Sequence, residues 1–309
     1  MRMDAAQLEA LARDREQRTP EWHTPNDFYG HAAALKAYAG LPPDYSLRAV
    51  VEHAPFNDDH AWRCDLASPL PAMFVFGPSR LPHLRTVTDK QVYPVGPYIH
   101  YAAPSLSPEE LAAARTAMGR TLLVFPAHSS HTVTAEYDRE SFCRTVDELA
   151  AGFDTVLVCV YWKNILEGDH RLYMDRGYAC TTAGHMFDPG FLGRLKSILL
   201  AADACLSNNW GTFLGYAAWL GKPFCIRRSR ITIRTEDRST FQRDVQRNHA
   251  CRDRIYHHFE PFSDTLRPEQ YRALAPRWGF DHVRSPRELA GLIRRAEALH
   301  EDRARQEAS

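Results

Sequence analysis

The chain has 309 residues, 44% hydrophobic and 25% charged, an ordinary globular composition with length for one large domain or two medium ones. Its 38 Lys and Arg balance 38 Asp and Glu, which excludes a global field that would gather nucleic acid or an anionic membrane. Seven cysteines stand singly with no CxxC pair, the usage of reduced thiols, and no apolar run approaches the ~18 residues of a membrane span.

The first stretch, MRMDAAQLEALARDREQR, is charged and lacks an apolar signal core. A cytoplasmic protein with no integral membrane segment is therefore expected. Residues 4–18 pattern as a short amphipathic helix with Leu8 and Leu11 on one face. A second helix is expected from Tyr29 to Tyr38, ending at Gly40 before Pro42-Pro43. Three strand-length apolar segments follow: Arg48–His53, Ala72–Gly77 and Gln91–Gly96. Each is followed by Pro, Gly, His or Ser, as strands of an open parallel sheet are at their ligand edge. The Pro-rich connections between them leave little room for crossover helices.

Tyr101-Ala102-Ala103-Pro104 reads as a linker, and Ser107-Pro108-Glu109-Glu110 as a capping box with Pro at the first helical position. From there strands and helices alternate. The pattern predicts helix 108–118, strand Thr121–Phe125, a polar loop Pro126–Asp138, helix Glu140–Ala151 and strand Thr155–Tyr161. It continues with a short strand in Gly177–Thr182, helix 190–201 capped by Asp188-Pro189, strand 203–206, helix 211–220 and strand Phe224–Arg227. Such alternation over about a hundred residues predicts a doubly wound parallel sheet. Beyond it, Arg227, Arg228, Arg230, Arg234, Arg238, Arg243 and Arg247 lead into a polar helix expected over roughly 240–258. This segment is either a solvated face or a loop that clamps an anionic ligand, since guanidinium groups bind phosphate bidentately. Sparse aromatics there argue against nucleic acid. A second capping box, Ser285-Pro286-Arg287-Glu288, starts a closing helix at 287–306.

Chemistry-bearing residues gather just past the predicted strands. Ser207, Asn208 and Asn209 form a polar hinge between a buried strand and a small-residue helix opened by Gly211-Thr212. A helix start of this kind offers free N–H groups and a positive dipole end to an anion, though capping residues at a purely structural turn would look alike. No GxGxxG and no P-loop motif occurs. His128, Ser129, Ser130 and His131 follow strand 121–125 and suit phosphate or substrate contact; a structural turn accounts for them too. As a metal pair, His128 and His131 lack a nearby carboxylate or Cys to complete a set. His185 in Ala183-Gly184-His185 is either a loop residue before a helix cap or part of the same crevice. His53, after Glu52, is a structural histidine or a catalytic base whose partner the sequence does not identify.

The order of His128, Gly184-His185 and SNNWGTFLGYAAWLGKP resembles the donor-binding half of GT-B-type glycosyltransferases and the related nucleotide-sugar 2-epimerases. YGHAAALKAYAGL, VVEH and VGPYIHYA are similar to the acceptor-side half of transferases from surface-polysaccharide pathways. The resemblance implies two Rossmann-like lobes: a lean acceptor-side lobe at 1–104, a nucleotide-sugar-binding lobe at 105–285 that is a doubly wound parallel sheet, and a last helix at 286–309. It further implies metal-independent transfer of a sugar to a hydroxyl acceptor in the cleft, with no cofactor. Ser207, Asn208, Asn209, Gly211 and Thr212 would hold the donor diphosphate, with His128, Ser129, Ser130 and His131 on the same phosphates and His185 near the nucleotide. His53 would be the general base. The acidic residue and Glu pair that commonly grip ribose in the family are missing, which leaves UDP, GDP and CMP open. Epimerisation or hydrolysis of the donor is the alternative of the same fold, and a non-catalytic nucleotide-binding or scaffold protein the alternative of another class.

Overall fold

The computed structural model describes residues 1–13, 15, 21–55, 60–129, 133–235, 253 and 255–308. The chain divides into two compact units, one of Glu16–Ala103, Met186–Leu192 and Leu274–Ser309, the other of Met1–Arg15, Pro104–His185 and Gly193–Ala273. Both are α/β units built on parallel sheets, the fold class expected. Among the described residues no helix is long and apolar enough to cross a membrane.

In order, the chain opens with α1 (Ala5–Ala12), then α2 (His31–Tyr38), β1 (Ala49–Val51), α3 (Arg63–Ala67), β2 (Ala72–Val75), α4 (Leu81–Val87) and β3 (Gln91–Pro94). The three strands form one parallel sheet in the order β1-β2-β3. The edge of β1 is closed by a side chain. Asn26 donates to the Ala49 carbonyl at 2.9 Å and accepts from the Val51 N–H at 2.7 Å, so its amide stands in for a neighbouring strand. The expected crossover weakness is visible in α3 and α4, only five and seven residues long.

The far ends of β2 and β3 are not open. A Cβ on Gly77 would run into the carbonyls of Pro276 and Arg277, and one on Gly279 into the carbonyl of Phe76. A Cβ on Gly96 would press against Val283. The chain's own 276–283 segment thus packs backbone to backbone over these ends, where three glycines supply the room.

In the other unit, α5 (Pro108–Met118) leads to β4 (Thr121–Phe125), followed by β5 (Val133–Glu136), α6 (Arg139–Ala150) and β6 (Thr155–Cys159). Then come α7 (Trp162–Leu166), α8 (His170–Asp175), β7 (Ala179–Thr181), α9 (Phe191–Ala201), β8 (Ala204–Ser207), α10 (Thr212–Trp219), β9 (Phe224–Ile226) and β10 (Thr232–Thr235). Helices α11 (Pro268–Trp278) and α12 (Pro286–Glu307) complete the chain. Both expected capping boxes are formed. Ser107 accepts from the Glu110 N–H and Ser285 from the Glu288 N–H, and each glutamate returns the bond.

The sheet runs β7-β6-β4-β8-β9, all parallel. Central β4 is buried along its whole length, as the unbroken TLLVF run requires of a strand covered on both faces. Numbered within the sheet, the strands lie in the order third, second, first, fourth, fifth, the order of an open doubly wound sheet. Two expectations change here. The loop at 126–138 contains strand β5, which pairs antiparallel with β10 in a separate ribbon. Helices α7, α8 and α11 occupy stretches for which the sequence reading named no element, and most of the polar helix expected at 240–258 lies outside the described residues.

Candidate functional site

Strand order reverses between β4 and β8: after β4 the chain winds one way through β6 and β7, then returns to β8 and β9. Loops leaving adjacent strands at such a reversal part in opposite directions and open a crevice at the carboxyl ends. The loops that flank it are Pro126–Ser129 after β4 and Asn208–Gly211 after β8.

One residue clamps the two loops together. Asn208, 1% exposed, accepts from the Ala127 N–H at 2.6 Å and donates from Nδ2 to Ser229 Oγ at 3.1 Å. Its side chain therefore joins the loops after β4, β8 and β9. Ser207 is fully buried, and its Oγ accepts the Asn209 N–H at 3.1 Å. Asn209 in turn accepts the Trp210 N–H at 2.8 Å. These bonds shape the hinge and leave Asn209, Gly211 and Thr212 as its half-exposed members. Gly211 is the N-cap of α10 and provides no side-chain cap. The N-cap position of α10 thus contributes no side-chain oxygen of its own to the first-turn N–H groups.

The space beside Gly211 is taken by an aromatic ring. A Cβ there would strike the ring of Phe213, which stacks on Phe125 at 4.5 Å and 5°. The glycine makes room for this aromatic pair rather than for close approach of a ligand.

His128 is exposed and stacks on Tyr161, centroid to centroid 4.2 Å at 25°. Its Nδ1 lies 2.8 Å from the Ser129 carbonyl. A carbonyl only accepts, so Nδ1 carries the proton and Nε2 is the working nitrogen of the neutral ring. Crowding by the loop lowers the pKa and the bond to Ser129 partly opposes this; the exposed edge still meets solvent.

Ser129 is 1% exposed, its N–H donating to Asn164 Oδ1 at 3.1 Å and its Oγ accepting from Ala135 N–H at 3.3 Å. Asn164 donates to Asp169 at 2.8 Å, and Arg139 holds the same carboxylate at 2.7 Å. The hydroxyl is thus an internal link, beside a polar chain that sequence reasoning missed because Asn164 is 35 residues from Ser129 and Arg139 is 30 from Asp169. Ser130 and His131 lie outside the described residues. His185 is 1% exposed, its ring 4.2 Å from Trp162 and its N–H donating to the Leu11 carbonyl. Of the arginines after β9, Arg228 pairs with Asp253 and Glu260, Arg227 donates to the Glu260 carbonyl, and Arg234 pairs with Glu136. Arg238, Arg243 and Arg247 lie outside the described residues.

His53 belongs to the other unit, just past β1. Its ring lies against Trp62, centroids 3.6 Å apart and tilted by 39°, and stands edge-on to Phe28 at 5.9 Å. The neighbouring Glu52 is fully buried with Arg80, Nε to Oε1 2.9 Å. Burial raises the Glu52 carboxyl to about 7 against the opposing pull of Arg80.

No protein-family model and no curated protein matches the chain. Solved structures similar to it include the UDP-GlcNAc 2-epimerase from Neisseria meningitidis bound to UDP-GlcNAc, 13% identical over 85% of this chain and 71% of that one, TM-score 0.39. Another is S. aureus MnaA with UDP, 9% identical over 83% of this chain and 73% of that one, TM-score 0.37. Likeness at this level transfers neither ligand nor reaction.

Proposed function

We propose that the chain is a nucleotide-sugar enzyme that transfers a glycosyl group from a nucleotide donor to a hydroxyl acceptor. The observation that carries the nucleotide part is the reversal of strand order between β4 and β8, flanked by the exposed imidazole of His128 and by an α10 start whose N-cap is a glycine. The glycosyl part follows the resemblance of the sequence to GT-B transferases.

In this reading the donor phosphates lie at the α10 N–H groups, with Asn209, Gly211 and Thr212 alongside and His128 Nε2 on a phosphate oxygen. Ser207, Asn208 and Ser129, being buried, hold the loops in shape, and His185 backs Trp162. As the bond from the anomeric carbon to the phosphate oxygen breaks, negative charge grows on the leaving group. The helix dipole stabilises that charge more than it stabilises the donor, and His128 joins it once the bound phosphate draws a proton onto Nε2, against the lowered pKa of the free protein. The acceptor oxygen bonds to the anomeric carbon as its proton passes to a general base, the role the sequence resemblance gives to His53.

A thermal-shift panel of UDP, GDP, CMP and their sugars tests the nucleotide part. A ligand that binds only the native state at about 100 times its Kd adds about 2.7 kcal/mol and raises Tm. No shift with any member would favour a scaffold role. Turnover of the bound donor without acceptor would favour epimerisation or hydrolysis. His128→Ala is expected to lower kcat by about 100-fold or more; unchanged turnover would remove it from the phosphate site.

A further inference from the structure

A second cluster of chemically active side chains lies apart from the β4/β8 crevice, in the unit that carries β1. His23 stands at the entry to the turn Thr24–Gly30, and Cys64 and Asp65 sit on α3. One donor atom from each falls within 4.8 Å of the others, the one such His, Cys and carboxylate group among the described residues. His23 Nε2 is 2.8 Å from Asp65 Oδ1, and Cys64 Sγ is 3.7 Å from the same oxygen.

An imidazole–carboxylate pair alone leaves part of this arrangement unexplained. Asp65 is fully buried, yet its Oδ2 has no hydrogen-bond partner. A buried acceptor without a partner loses its hydration with nothing in return, and more so when charged. The pair also gives no role to Cys64, whose sulfur turns toward the same carboxylate while the residue stays exposed.

We propose that His23, Cys64 and Asp65 form a binding site for one divalent cation of the zinc class. Imidazole, thiolate and carboxylate are the three donor types zinc takes, and three protein ligands leave a fourth tetrahedral position for water. Donor atoms around tetrahedral zinc stand about 3.2–3.8 Å apart, given bonds of about 2.0–2.3 Å. The spacings of 2.8 and 3.7 Å here need only small adjustment to meet that. Exposure at Cys64 provides the entry path. On binding, the thiol releases its proton to solvent, and a carboxylate that takes the ion with both oxygens gives the orphaned Oδ2 its partner. The ion would pin α3, five residues long with no side-chain cap, to the segment ahead of Thr24. A helix of that length is not stable by itself.

The test uses the full chain, stripped with chelator and titrated with Zn2+, then with Co2+ as a spectroscopic stand-in. The expected result is one tight cation per chain, a thiolate-to-cobalt charge-transfer band and a higher Tm with metal. Cys64→Ser, at an exposed position, should leave the metal-free Tm unchanged. It should also abolish the band and weaken Zn2+ binding by at least about 100-fold, more than loss of an outer-shell partner costs. His23→Gln should weaken binding as well. Absence of stoichiometric binding, or binding that survives Cys64→Ser, would overturn the proposal and leave a His23–Asp65 ion pair only.

Discussion

His31 is 1% exposed, set between Tyr98 at 4.7 Å and Tyr29 at 5.8 Å, with a buried Nδ1 that has no hydrogen-bond partner. Burial holds it neutral, its pKa lowered from 6.5 to about 3. The unfolded chain binds a proton there below pH 6.5 and the folded chain does not, so stability falls as pH drops from about 6.5 to about 3. The full effect is on the order of 5 kcal/mol. Glu52 acts with the opposite sign. Its carboxyl is raised from 4.5 to about 7, so its contribution is lost as pH rises across that interval. Below pH 4.5 only the histidine slope of the two remains. His31→Phe is therefore expected to flatten the acid limb, read as the change in urea-unfolding free energy between pH 4.5 and pH 3 rather than as its absolute value. An unchanged slope would show that His31 is not the group responsible. Arg80→Met strands the Glu52 carboxylate in a fully buried place and should cost about 3–5 kcal/mol at pH 8.

At the scale of elements, the parts legible in the sequence are those whose cause is local. Helix α5 begins at its capping box because Ser107 and Glu110 are three residues apart, and Ser107→Ala should cost about 1 kcal/mol, visible as a lower Tm. Strand β4 was legible as an unbroken apolar run, and the junction at Ser207–Thr212 as a polar break between two apolar ones. The β5/β10 ribbon was not, because Val133–Glu136 gains its partner from Thr232–Thr235, far along the chain. The same limit hid the site's wiring. That Ala127 and Asn208 meet, or that Arg80 neutralises Glu52, depends on contacts 81 and 28 residues apart. It also explains why Ser129 and Ser207, chosen for their hydroxyls, are buried and bonded internally, while Asn209 keeps an exposed face. Asn208→Ala removes the clamp between three loops and leaves the Ala127 N–H without its acceptor, at a cost of about 1–3 kcal/mol. If the crevice is the nucleotide site, ligand-induced Tm shifts should shrink in that variant more than its own lower Tm accounts for.

At the scale of the whole molecule, the unit containing β1–β3 is assembled from separate parts of the chain, and Leu274–Ser309 is one of them. Gly279, at φ 66, lies where any side chain would strike the Phe76 carbonyl. Gly279→Ala should destabilise by about 1–3 kcal/mol from backbone strain alone. The close junctions at Gly77, Gly96 and Gly279 also set an order in time. About 170 residues separate Ala103 from Leu274, which a ribosome adds in on the order of 10–30 s. During that interval β1, β2 and β3 have left the ribosome while the segment that covers their ends has not been made. The unit formed by Met1–Arg15, Pro104–His185 and Gly193–Ala273 has all its parts first. The amino-terminal strands, earliest to be synthesised, are therefore the last to be finished, and their apolar ends are the part of the newborn chain most in need of a chaperone.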